Sequence, residues 1–356
     1  MSSELPLITG IQQIGIGNDA VYDTWEWYRS HLGFTVSVFD EAAEAALMLP
    51  YTAGEPRKRH AILALNMMGG GGAEIWQYTS RIGQPPAFEP QLGDLGIYIA
   101  KYKSIDIGRS YAALMSTNLL SPITTNPSGD KHFYLKDPFN NVIEIIESDN
   151  WFNSNKSHCG GVYGTVIGVT DIDNSIEFYK NILGYDRILA DTTGPFEDFI
   201  DSSQVKGDFR RVILTHTKDR VGPFSQLFGR SQIELVQALD REPKKIFENR
   251  MWGDLGYIHL CFDVAGMDQM RDKCKAAGCA FTVDSGDFDM GEAAGQFAYI
   301  EDPDGTLIEF VETHKVPIMK KIGWYLNMKK RDPAKSLPRW MLQAMGLNQK
   351  KNPVNN

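Results

Sequence analysis

The chain has 356 residues, long enough for two domains, and its 42% apolar and 23% charged residues exclude a disordered or fibrous protein. The formal net charge of −9 is uneven: residues from Lys315 onward contain ten Lys or Arg and one acid, which leaves −18 on the first 314 residues. So acidic a body excludes nucleic acid as the main partner, because phosphate binding needs clustered cations.

Nothing in the sequence predicts secretion or insertion into a membrane. No stretch approaches the roughly 18 consecutive apolar residues that span a bilayer, and residues 1–7 lack the basic and apolar segments of a signal peptide. The four cysteines include no CxxC pair. A cytoplasmic location is therefore expected.

Four segments of the chain are internal repeats. The segment Trp27-Tyr28-Arg29-Ser30-His31-Leu32-Gly33-Phe34 recurs as Phe178-Tyr179-Lys180-Asn181-Ile182-Leu183-Gly184-Tyr185. An apolar run precedes each of them, at 11–16 and at 162–169. Gly93-Asp94-Leu95-Gly96 returns as Gly253-Asp254-Leu255-Gly256, and the Asp-Pro turn with its following Val/Leu-Ile-Glu at 136–144 returns at 301–309. The two halves are duplicates, each with two units of about 70 residues.

The last unit shows the order of elements most clearly. An alternating strand at 258–264 precedes an amphipathic helix that stops at Gly278, and three strands follow at 280–283, 296–300 and 307–312. Each unit therefore reads βαβββ, at 8–80, 93–150, 160–240 and 253–313. A four-stranded sheet with one helix buries only one face, so we predict an α+β fold in which the units pair into two curved mixed-sheet cups.

Two motifs stand out: the helix that ends in Leu-Gly, and the Asp-Pro turn with its following Ile-Glu. Together with the order of elements, they resemble the vicinal oxygen chelate superfamily, which includes glyoxalase I, extradiol ring-cleaving dioxygenases and bleomycin-resistance proteins. The resemblance covers residues 8–313. It implies up to two metal ligands in each unit, one on the first strand and one on the last. By position, the first-strand sites are Gln13, Ile99, Gly164 and His259, and the last-strand sites are Glu74, Glu144, Glu234 and Glu309. Ile99 and Gly164 have no ligating side chain.

Two pairings of the units predict two different sites. If neighbours pair, as 8–150 and 160–313, one cup gathers Glu234, His259 and Glu309, and the other gathers Gln13, Glu74 and Glu144. If the outer units pair, one cup holds Gln13, Glu74, His259 and Glu309, which is the ligand pattern of glyoxalase I. Pairing of neighbours is favoured, because consecutive elements usually lie side by side.

The resemblance implies a divalent ion, Zn, Ni, Mn or Fe, and a small-molecule substrate. The first hypothesis is a lyase or isomerase of the glyoxalase type that stabilises an enediolate, with Glu309 as base and Glu74 or Glu234 opposite it. The second is an extradiol dioxygenase, although its two-histidine triad is incomplete because Gly164 stands where a His is expected. The third is a binding protein without catalysis, with an apolar cavity lined by Trp76, Tyr78 and Phe297.

Residues 315–356 lie outside the repeats and read as a basic helical tail. The spacing of apolar and basic residues predicts an amphipathic helix, with Ile318, Ile322, Tyr325 and Leu326 on one face and Lys320, Lys321, Lys329 and Lys330 beside them. A second short helix is predicted from Pro338 to Gly346. Such a tail binds an anionic membrane surface or packs on the acidic body, within the chain or across a homodimer. Packing is favoured.

Overall fold

The structure is a computed structural model, and it describes residues 5–153, 157–199, 207–289, 294–319 and 322–349. The first two modules contain β1 (Leu7–Asn18), α1 (Val21–Leu32), β2 (Val36–Glu44), β3 (Lys58–Leu65) and β4 (Gly72–Tyr78), then β5 (Gly96–Ser104), α2 (Ile107–Ala113), β6 (Asn118–Leu119), β7 (Thr124–Thr125), β8 (Lys131–Lys136) and β9 (Val142–Glu147).

The third and fourth modules repeat this order, and a short C-terminal segment follows them. They contain β10 (Cys159–Gly168), α3 (Ile172–Leu183), β11 (Arg187–Gly194), β12 (Phe209–Thr215), α4 (Ser225–Phe228) and β13 (Gln232–Ala238), then β14 (Gly256–Ala265), α5 (Met267–Ala276), β15 (Val283–Asp284), β16 (Phe288–Asp289), β17 (Ala294–Glu301) and β18 (Leu307–Met319). The segment after them holds β19 (Trp324–Asn327) and α6 (Arg339–Met345). The predicted α+β fold of paired βαβββ modules is confirmed.

The helices begin and end where the repeated motifs indicate. The side chain of Asp171 caps α3 by accepting hydrogen bonds from the backbone N–H groups of Asp173 and Asn174. Both long motif helices end at a glycine in the left-handed conformation, Gly33 with φ 79° and Gly184 with φ 72°. A side chain there would be strained, so the Leu-Gly pair fixes the end of each helix.

The sheets pair the modules differently from the favoured prediction. One sheet runs β15-β17-β18-β14-β1-β4-β3-β2 and joins the first and fourth modules; the other runs β11-β12-β13-β10-β5-β9-β8-β6 and joins the second and third. At their centres β1 pairs antiparallel with β14, and β10 with β5. We call the concave faces the outer cup and the inner cup. Pairing of neighbours within 8–150 and within 160–313 was therefore wrong.

Two close approaches of the main chain favour this pairing. The repeated Gly-Asp-Leu-Gly segment that precedes β14 lies against Gly17 of the first module, and the one that precedes β5 lies against Gly168 of the third. A Cβ at Gly17 or Gly168 would lie 2.0 Å from the carbonyl oxygen of Asp254 or Asp94. Only glycine allows these contacts, which join the first module to the fourth and the third to the second.

The motif helices contact the Asp-Pro turns of the following modules. The buried hydroxyl of Tyr28 on α1 donates to Asp137 over 2.9 Å, and that of Tyr179 on α3 donates to Asp302 over 3.0 Å. The largest apolar cluster lies around these tyrosines and contains residues of all four modules. The core thus lies between the two sheets and their helices, and leaves the concave faces for other side chains.

The C-terminal segment departs from the predicted tail. Ile318 belongs to β18, which continues past its module, while Tyr325 and Leu326 form β19, which pairs with β18; the first predicted helix is therefore wrong there. Lys320, Lys321 and residues 350–356 lie outside the described residues. The second helix is confirmed as α6. Leu337, Leu342 and Met345 are buried against the body, which is the packing within the chain that the sequence favours.

Candidate metal centre

Four neighbouring strands of the outer cup bring the predicted ligands together. In the strand order β18-β14-β1-β4, Glu309 lies on β18, His259 on β14, Gln13 on β1 and Glu74 on β4. Gly15 is in register with both His259 and Glu74, and Cys261 is in register with both Gln13 and Glu309. Side chains two residues apart on a strand share a face, so all four point into the same cup.

The potential ligand atoms of Glu74, His259 and Glu309 all lie within 4.8 Å of one another. His259 Nε2 is 3.0 Å from Glu309 Oε2 and 3.4 Å from Glu74 Oε2, but neither contact has hydrogen-bond geometry, and both buried ring nitrogens lack a hydrogen-bond partner. An unpartnered imidazole nitrogen facing two carboxylates is the arrangement that a shared cation would satisfy. These three residues therefore fit a divalent ion.

Gln13 contacts the same carboxylates as a hydrogen-bond donor. Its Nε2 donates to Glu74 Oε2 over 3.1 Å and to Glu309 Oε2 over 3.4 Å, while its buried Oε1 has no partner. In this orientation the amide holds the two carboxylates together and its potential ligand oxygen points elsewhere.

Burial and charge act in opposite directions on His259. The imidazole is fully buried, which lowers its pKa, but the charges of Glu309 and Glu74 outweigh burial and raise the pKa to about 9. The ring also lies against Gly15, where a Cβ would be 2.8 Å or less from three imidazole atoms. Glycine at this position leaves room for the ring.

A cavity of about 450 Å³ opens over this group of residues. Gln13, Glu74 and Glu309 reach its surface, and Trp76, Trp252, Phe297 and Tyr299 line it. Trp76 and Phe297 occupy the positions predicted for them, whereas Tyr78 lies outside the lining and donates a hydrogen bond to the backbone carbonyl of Trp252. The volume lies within the range of about 300–1,000 Å³ that is usual for small-molecule sites.

Glu234, the remaining predicted ligand, lies in the inner cup and forms ion pairs with Lys101 and Arg211. Glu144 lies in the same cup, 3.1 Å from Lys101 and 2.8 Å from His132. Burial raises the pKa of Glu144, but Lys101 and His132 outweigh it and lower the pKa to about 2. Asp198 completes the group through Arg211. The inner cup is therefore filled by charges that neutralise one another.

The charged residues of the inner cup were not predicted from the sequence. Lys101 lies within an apolar strand and Arg211 at the start of another, and a cation in such a run is a signal that a buried acid lies opposite it. Cys261, Trp252 and Tyr299 were not predicted as site residues either. Burial and the charges of Glu309 and Glu74 hold the pKa of Tyr299 well above its usual range.

Comparisons with known proteins agree with the fold. Residues 158–310 match the family described as the Glyoxalase/Bleomycin resistance protein/Dioxygenase superfamily. A search of curated proteins finds no match. Glyoxalase I from Zea mays superposes with a TM-score of 0.51 at 10% identity over 86% of this chain and 92% of that one, and a point mutant of it gives 0.53 at 11% over the same shares.

A proposed dioxygenase from Bacillus subtilis superposes with a TM-score of 0.52 at 15% identity, over 86% of each chain. At these identities the solved structures establish the fold. The family match covers most of the third and fourth modules, and the solved structures extend the likeness in fold to most of the chain. In the described part of the chain, no helix has the length and apolar character needed to cross a membrane.

Proposed function

We propose that the protein is a divalent-metal-dependent lyase or isomerase of the glyoxalase type, acting on a small carbonyl compound at the outer cup. The observation that carries the proposal is the contrast between the two cups. In the inner cup, Lys101 and Arg211 compensate the carboxylates, whereas in the outer cup the ion pairs of Glu74 and Glu309 within the described residues are with His259 alone. A second positive charge at this site would compensate both acids.

His259, Glu74 and Glu309 would hold the ion, with His259 Nε2 and one oxygen from each carboxylate as ligands. One imidazole and two carboxylates suit Zn, Ni, Mn or Fe. When bound, such an ion acts as a Lewis acid that polarises a carbonyl oxygen.

The side chains of the outer cup supply the other steps. Glu309 would take the proton from the carbon beside the carbonyl group and return it to the neighbouring carbon. The proton would be held at Oε1, since Oε2 contacts His259 and Gln13. Gln13 Nε2 fixes the carboxylates of Glu309 and Glu74 relative to each other. Glu74 lies opposite Glu309 and would bind the substrate's other face.

The test is turnover of phenylglyoxal, with and without glutathione, by protein loaded with Zn, Ni or Mn. Nuclear magnetic resonance would follow formation of the hydroxy acid, or of its glutathione thioester when glutathione is present, and exchange of the abstracted proton with solvent deuterium. We expect turnover in the wild type and a loss of at least about 100-fold in Glu309→Gln. Ring cleavage of catechols by iron-loaded protein would favour the dioxygenase hypothesis instead. Metal-loaded protein inactive on both substrate classes would overturn the proposal in favour of a binding protein.

A further inference from the structure

We propose that the C-terminal segment after the fourth module forms one wall of the cavity above the candidate metal centre, and that this cavity selects an uncharged, apolar substrate. The inference rests on the proposed function for the polar end of that substrate, a pair of neighbouring oxygens that would lie at the metal. The apolar wall and the class of ligand follow from the cavity itself.

The C-terminal segment forms this wall together with a part of the third module, the segment around α4. The extension of β18 contributes Val316 and Pro317, α6 contributes Met345, and the segment around α4 contributes Phe224 and Phe228. Val316, Met345, Phe224 and Phe228 belong to one apolar cluster. The C-terminal segment is therefore packed firmly against the body at the place where it faces the cavity.

The opposite wall is formed by the outer cup, and the two cups differ at matching positions. Tyr299 pairs with Glu309 in the outer cup, and Tyr134 pairs with Glu144 in the inner cup. Phe297 and His132 each lie two residues before the tyrosine of their strand, so they occupy matching positions. In the same way Cys261 corresponds to Lys101, and Ala61 to Arg211. Where the inner cup is filled with charges, the outer cup has apolar or small side chains and an open volume.

The charged side chains at the cavity do not favour an anionic ligand. Glu74 and Glu309 lie at its base. Two cations line the cavity, Arg59 and Lys315. The Nη2 atom of Arg59 lies 3.3 Å from Oε1 of Glu41, and the Nζ atom of Lys315 lies 5.0 Å from the ring centre of Tyr325. Tryptophan, phenylalanine and methionine make up much of the remaining lining. Such a surface gains free energy by burying apolar area and loses it by burying an unpaired charge.

Binding of N-phenyl-1-naphthylamine, an uncharged fluorescent probe, to the metal-free full-length protein tests this inference. We expect one molecule per chain, bound at least about tenfold more tightly than 8-anilinonaphthalene-1-sulfonate, which has the same rings and a negative charge. Equal or tighter binding of the sulfonate would overturn the assignment of an uncharged ligand. Absence of saturable binding of the uncharged probe would overturn the cavity assignment altogether.

Two variants locate the probe. Met345→Glu places a charge in the C-terminal wall and Phe297→Ser removes an aromatic ring from the cup, and each is expected to weaken binding at least about tenfold. Gln343→Glu is the matched control, because Gln343 is exposed on the same helix and contacts Asn153. Circular dichroism checks that each variant is folded. If Phe297→Ser weakens binding and a folded Met345→Glu does not, the C-terminal wall is excluded.

The outcomes separate this inference from the proposed function. If the protein binds the uncharged probe but no divalent ion, the apolar site is supported and the proposed metal-dependent function is contradicted. If the protein binds a divalent ion but not the probe, the candidate metal centre is supported and the apolar substrate class is contradicted.

Discussion

The ammonium group of Lys101 lies 3.1 Å from a carboxylate oxygen of Glu144, and both side chains are fully buried. Lys101 is in register with Glu144 as Cys261 is with Glu309. One lysine thus stands in the inner cup where the outer cup has a thiol. The inner cup contains its own cation, and the outer cup presents two acids beside one imidazole.

Replacing Lys101 by methionine leaves Glu144 and Glu234 buried with fewer partners. Breaking a buried ion pair from one side costs about 3–5 kcal/mol, and we expect Lys101→Met to lower the free energy of unfolding by that amount. Urea denaturation measures it. Lys180→Met is the control, because its pair with Glu177 is exposed and worth less than about 1 kcal/mol. Similar losses in both variants would contradict the description of the inner cup.

The contact between Tyr179 and Asp302 gives a second prediction, which concerns the motifs. Tyr179→Phe removes a hydrogen bond to a buried carboxylate, and bonds of this kind contribute about 1.5–3 kcal/mol. We expect thermal unfolding to report a loss of this size. Tyr22→Phe removes a similar bond to Asp40 at an exposed position and should cost much less. An unchanged stability in Tyr179→Phe would show that the motif does not stabilise the fold through this contact.

The sequence predicted the modules and their motifs because these depend on local signals, such as the Leu-Gly end of the helix at Gly184. It favoured the wrong pairing because that pairing depends on contacts between distant segments, such as Gly17 with Asp254. Strand β19 was predicted as helix for a related reason. Its apolar residues also fit a helical spacing, and pairing with β18 decides the conformation.

Asp263 gives a prediction about pH. This carboxylate is buried, which raises its pKa to about 7, and hydrogen bonds from Thr9, Thr313 and Gln12 only partly oppose burial, while the charge of Glu312 adds to it. The folded protein therefore keeps a proton that the unfolded chain releases near pH 3.8. Between these two values the contribution of Asp263 to stability falls as pH rises, by at most about 1.4 kcal/mol per unit.

Urea titrations of the wild type and Asp263→Asn at pH 4, 5, 6, 7 and 8 measure this effect. The asparagine does not titrate, so the variant should gain stability relative to the wild type as pH rises and stop gaining above about pH 7. A constant difference across the series would show that Asp263 has its ordinary pKa in the folded protein.

Gly15 tests the geometry around the imidazole. In Gly15→Ala the added Cβ would meet His259, so the ring must move, and we expect affinity for Mn²⁺ to fall at least about tenfold. Gly108→Ala is the control, because its Cβ meets only the Asp106 side chain at an ordinary contact distance of 3.5 Å. Calorimetric titration measures both variants. Unchanged affinity in a folded Gly15→Ala would show that the position of His259 is not critical.

The candidate site was predictable in part. The resemblance to the vicinal oxygen chelate superfamily implied ligands on the first and last strands of each module, and Gln13, Glu74, His259 and Glu309 are among the positions that it indicated. The pairing of the modules decides which candidate ligands lie close together, and it places Glu234 in the inner cup. The cavity wall at Met345 was beyond prediction, since the C-terminal segment has no counterpart in the repeats.

The content of divalent metal in the purified protein, beside that of His259→Ala, tests the central claim most directly. His60→Ala is the control, because His60 also contacts a carboxylate, that of Asp40 at 2.8 Å, but near the surface. We predict one equivalent of Zn, Ni, Mn or Fe per chain in the wild type and in His60→Ala, and loss of that metal in His259→Ala. A wild type that holds no metal after incubation with these ions, or a His259→Ala variant that retains it, would contradict the account.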